Sequence, residues 1–109
     1  MPKIPINRIN QYTYAACVTA LLKAEARETG ASRVAAQVLL SAYNGYEFQL
    51  DIVDLNNLDQ AHFEIAMCLI RCRYELWAEP HTVIENGSEI FQNLATRWSH
   101  YRVGNRAQA

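Results

Sequence analysis

A chain of 109 residues with a formal charge of −1 has room for one domain and one hydrophobic core. That charge argues against a net-basic nucleic-acid clamp. The longest apolar run, residues 65–70, is too short to cross a bilayer, and MPKIPINR lacks the apolar stretch of a secretory signal.

Residues 1–9 carry Pro2 and Pro5 and read as an extended arm. Asn10 is placed to cap a first helix running to about Thr29, with Gly30 as its stop. Tyr14, Val18, Leu21 and Leu22 give that helix a buried side, and its many alanines favour helix and close packing. Ser32 is placed to cap a second helix over residues 33–43, whose stripe is Val34, Ala35, Val38, Leu39, Ala42 and Tyr43. Asn44-Gly45 is the expected stop, through the left-handed conformation both residues tolerate. The period then changes to two. Tyr46, Phe48, Leu50 and Ile52 alternate with Glu47, Gln49 and Asp51, which predicts a strand, or an extended segment laid on the helices. A strand here would leave an edge with which a second copy could pair, so a homodimer is an open expectation.

Residues 54–59 are turn chemistry, and Asn57 or Asp59 is expected to cap the next helix. That helix, residues 60–77, carries two apolar faces. One is Phe63, Ala66, Met67, Ile70, Tyr74 and Trp77, and the other is Ile65, Leu69, Cys72 and Leu76. A helix apolar over so much of its circumference is expected to be the buried central post. Pro80 must end it. Ile84, Gly87, Phe91, Leu94, Trp98 and Tyr101 then keep helical spacing, and Asn86-Gly87 favours a short turn followed by a main helix. The expected architecture is mainly α: a compact bundle of four to five helices around a buried central helix, with one short extended segment. Its domain spans residues 10–102, and residues 103–109 form a frayed tail.

The three cysteines, Cys17, Cys68 and Cys72, fall among apolar residues of helices, which suits reduced thiols in a cytoplasm. Cys68 and Cys72 are four apart rather than in a tight metal-binding loop, so no metal site and no cofactor are expected. No glycine-rich phosphate loop is present, and no nucleophile sits in a strand–turn–helix elbow, so no catalytic residues and no enzyme activity are expected. Charge is uneven along the chain. Between Arg33 and Arg71 there is no Lys or Arg, while Glu47, Asp51, Asp54, Asp59 and Glu64 accumulate. Glu47, Asp51, Asp54 and Asp59 are the candidate acidic face for a protein partner. Arg97, Arg102 and Arg106, with Trp98 and Tyr101 between them, are the alternative, a surface for DNA or RNA. Acidic middle and basic tail could also attract one another.

The segment LLSAYNG (residues 39–45), the LDIVDL after it, EPH (residues 79–81), and Gly87, Phe91, Leu94 and Trp98 resemble a group of small uncharacterised proteins carried by proteobacterial plasmids and integrative elements. That resemblance implies a mobile-element accessory protein of the bacterial cytoplasm. Proteins of this kind often bind a host complex that handles nucleic acid, inhibitors of CRISPR systems among them. The expected function is therefore a non-enzymatic interaction module that modulates or inhibits a host protein complex.

Overall fold

Asn10 does start the first helix. Its side-chain oxygen accepts the Thr13 N–H at 2.9 Å, which satisfies one of the free donors of the first turn. The computed structural model describes residues 4–106, with side chains to residue 104. Five α-helices are present among these residues: α1 (Gln11–Glu25), α2 (Gly30–Tyr43), α3 (Gln60–Leu76), α4 (Gly87–Arg97) and the single turn α5 (Val103–Arg106). Short 3-10 turns occupy Ile52–Asn57, Pro80–Val83 and Ser99–Tyr101.

The buried central helix is α2, not α3. Every residue from 34 to 40 is buried, nearly two full turns, so α2 is covered on all sides there. α1 lies against both α2 and α3, while α4 and the turn at Pro80–Val83 close the remaining side of α2. Phe91 and Leu94 of α4 are fully buried, each contributing roughly 2 kcal/mol of hydrophobic stabilisation. On α3 only one of its two apolar faces is covered. Ile65, Leu69 and Cys72 are buried together with Ala66 and Cys68, while Phe63, Ile70, Tyr74 and Trp77 are exposed.

Three local expectations are corrected. Gly30 does not stop α1 but opens α2, and the left-handed residue between the helices is Glu28, at φ 55°. Ser32 lies inside the first turn of α2. Its hydroxyl oxygen accepts the Thr29 N–H at 2.8 Å and donates to the Ala24 carbonyl at 3.1 Å, tying α2 to the end of α1. α2 ends at Asn44 as expected, but with φ −148° rather than a left-handed turn.

The alternating segment 46–52 forms no strand. No second strand is present among the described residues for it to pair with. Phe48 is buried and Leu50 half-buried, whereas Tyr46 and Ile52 are exposed. Tyr46 and Glu47 lie in a turn closed on the Asn44 carbonyl and Ile52 opens a 3-10 turn, so the alternation records two anchors, Phe48 and Leu50, between two turns. Asp59 caps α3, accepting the His62 N–H at 2.8 Å. The last helix does come in two pieces, with Asn86 at the N-cap of α4.

Candidate interaction surface

The outward face of α3 is made by exposed Phe63, Ile70, Tyr74 and Trp77, with Met67 half-buried among them. Steps of four, three, four and three keep them in one line along the helix. Tyr74 is 80% and Trp77 89% exposed, while Phe63 and Ile70 are near 40%. Trp77 also ends the helix in the left-handed conformation, at φ 56°. That conformation costs a bulky residue about 1–2 kcal/mol and is normally given to glycine. An indole kept in water at a position that prefers glycine points to use of the side chain itself. Tyr46, Ile52 and Val53 are also exposed, but on the loop and turn between α2 and α3 rather than along one helix.

The carboxylates of the proposed acidic face are largely answered from within. Asp54 Oδ2 accepts from Arg33 Nη1 at 2.9 Å, a pair that holds the guanidinium above its ordinary pKa. Glu47 pairs with Arg102. Asp59 is occupied by the α3 cap, and hydrogen bonds from the His62 backbone and ring hold its carboxyl below the usual range. Asp51 is exposed and has an interaction partner of its own.

The arginines are similarly engaged. Arg97 donates to both Glu25 carboxylate oxygens, and Trp98 Nε1 donates to the same carboxylate at 2.9 Å. Arg102 also lies over the Phe48 ring, 4.9 Å from its centroid. The Arg106 side chain lies outside the described residues. A nucleic acid would therefore meet fewer open cations than the sequence count suggests.

The segments that carry the resemblance meet in space. Ser41–Tyr46 on one side and Arg73, Glu79 and His81 on the other line an open cleft of about 680 Å³. Arg73 Nε donates to the Ala42 carbonyl at 3.0 Å, and the His81 ring stands edge-on to Tyr43 at 5.1 Å. His81 Nε2 is 3.8 Å from Glu79 Oε2, and its Nδ1 is buried without a hydrogen-bond partner. The segment just past α3 is tied by Tyr14, whose hydroxyl donates to the Ala78 carbonyl at 2.7 Å. Burial raises the Tyr14 pKa, keeping that donor protonated. Glu79 acts through its backbone, its carbonyl accepting from the Thr82 N–H and hydroxyl. The cleft joins α2, the end of α3 and the Pro80 turn, and the groups around it mostly serve to fasten that junction.

All three thiols are buried between α1 and α3. Burial pushes the Cys17 thiol up, and the Cys72 thiol up to about 12, so both are protonated at neutral pH and poor nucleophiles. Periodicity did not distinguish the outward face of α3 from the inward one. The signal that does is residue type: Tyr74 and Trp77, of types common at contact surfaces, lie on one face, and Leu69, Cys72 and Leu76 on the other.

Fold and surface together define a small all-helical module with one apolar helix face uncovered. The chain belongs to a family of unknown function, DUF7673, whose family model matches residues 15–99, from within α1 to just past α4. No curated protein and no solved structure gives a significant match.

Proposed function

We propose that this chain is a non-enzymatic protein-interaction module whose contact surface is the outward stripe of α3. The observation that carries the reading is the line of exposed Phe63, Ile70, Tyr74 and Trp77 around a half-buried Met67, on a helix whose opposite face packs into the core. Monomeric proteins rarely leave a contiguous run of large apolar side chains in water without a use for it. Trp and Tyr are also the side chains that dominate binding energy at protein interfaces. Spacing of three and four is how a helix presents anchors to a groove or to another helix. Buried, protonated thiols support the non-enzymatic half of the reading. The resemblance to mobile-element proteins supplies the setting: a bacterial cytoplasm, with a host complex modulated or inhibited by occupancy.

The test compares the wild-type chain with Tyr74→Ser/Trp77→Gly. Glycine suits the left-handed position, so the folded chain should melt within a few degrees of wild type. Protein partners captured by the wild-type chain from host extract should be lost. Retention of the same partners by a folded variant would move the contact surface elsewhere.

A further inference from the structure

We infer that the outward stripe of α3 pairs with the same stripe of a second copy, the two helices running antiparallel. This rests on reading that stripe as a contact surface. Steps of four and three from residue 63 to residue 77 match the heptad seam of a two-helix coiled coil over two heptads. A two-fold pairing uses one patch twice, so the patch must complement itself.

The residues beside the seam supply that complementarity. On one flank lie Ala66, which is buried, and Arg73, which is held by the Ala42 carbonyl, so this flank rests on the molecule's own body. On the open flank lie Glu64 and Arg71, seven residues apart and thus at the same position around the helix. Glu64 is exposed, and among the described residues Arg71 pairs with Glu75, one turn along its own helix.

Set the helices antiparallel, with Met67 of one copy beside Ile70 of the other. Phe63 then lies beside Tyr74. Glu64 of each copy faces Arg71 of the other, giving two reciprocal ion pairs. A parallel pairing offers no such match. It would bring the flank of Ala66 and Arg73 against Arg71 and Ala78 of the second copy, with no opposite charges to meet.

Charge reversal tests the register on the full-length chain by sedimentation equilibrium, with helicity measured to verify folding. The wild-type chain should dimerise. Glu64→Arg alone and Arg71→Glu alone should each weaken the dimer by roughly tenfold, because each places two like-charged pairs across the seam. Mixing the two single variants should restore a dimer containing one of each, and the double variant should dimerise like wild type. Rescue on mixing cannot arise from a folding defect. A chain that stays monomeric up to roughly millimolar concentration overturns the proposal, as does a dimer indifferent to both reversals. If the chain is monomeric while Tyr74→Ser/Trp77→Gly still abolishes capture of another protein, self-pairing falls and the broader reading of the stripe stands. If neither self-pairing nor capture depends on the stripe, both fall.

Discussion

A methyl group at position 87 would sit 1.7 Å from the His81 carbonyl oxygen and 2.6 Å from its carbon. Both are backbone atoms, so no side chain can swing aside to make room. Gly87 is thus the residue that lets α4 begin against the Pro80–Val83 turn. Gly87→Ala should cost about 3 kcal/mol, at the upper end of overpacking penalties, because the turn and the start of α4 must separate. Thermal or denaturant unfolding would register the loss, and a melting point near wild type would contradict the close approach. In the sequence, Asn86-Gly87 signalled only a break between two pieces. The contact that requires glycine comes from a residue six positions earlier, which turn chemistry alone does not reveal.

At the scale of elements, the caps of α1 and α3 were legible, that of α2 was not, and orientation was not. Asn10 and Asp59 act locally, each on an N–H three residues ahead, and sequence spacing suffices to find them. The Asp59 cap should therefore be measurable by itself. Asp59→Ala is expected to cost about 1 kcal/mol at neutral pH. The native carboxyl is held below its unfolded value, so the native state releases its proton first on titration upward. Its contribution is full above the ordinary carboxylate pKa of about 3.9 and disappears as pH falls through the depressed native value. The stability gap between wild type and Asp59→Ala should close over that acid range, and a gap of constant size would refute the assignment.

The two faces of α3 were also legible, since periodicity establishes which residues share a side. It does not establish which side meets the protein, because that depends on where α1 lies. The segment 46–52 failed for a related reason. Alternation of Tyr46, Phe48, Leu50 and Ile52 fits a strand, but a ladder needs a second strand, and none is present among the described residues.

Across the whole molecule, the charges that looked like two separate surfaces act partly as fasteners. Glu25 on α1 is 8% exposed and is reached by Arg97 and Trp98 at the end of α4. Glu47 meets Arg102, and the Val103 N–H donates to the Glu47 carbonyl at 2.7 Å, so the C-terminal segment holds the loop after α2. Pairs separated by 72 and 55 residues leave no local pattern. The overall segregation of charge, acidic middle and basic tail, pointed to the Glu47–Arg102 pair alone, since Glu25 lies outside the acidic middle. Arg97→Ala would leave a mostly buried carboxylate with Trp98 as its remaining partner and should cost about 2–3 kcal/mol, more than an exposed ion pair is worth. Chemical denaturation measures this. A cost below about 0.5 kcal/mol would show that the pair is open to solvent.

The two tryptophans occupy opposite circumstances: the Trp77 indole stands in solvent at the end of α3, while Trp98 is half-buried with its N–H on Glu25. Indole emission moves to shorter wavelength when water is withdrawn from the ring. The chain thus carries a built-in fluorescent reporter at the end of its open stripe, and a second at the latch between its first and fourth helices. With Trp98→Phe, the remaining emission would follow coverage of the stripe, whatever covers it, without any added label.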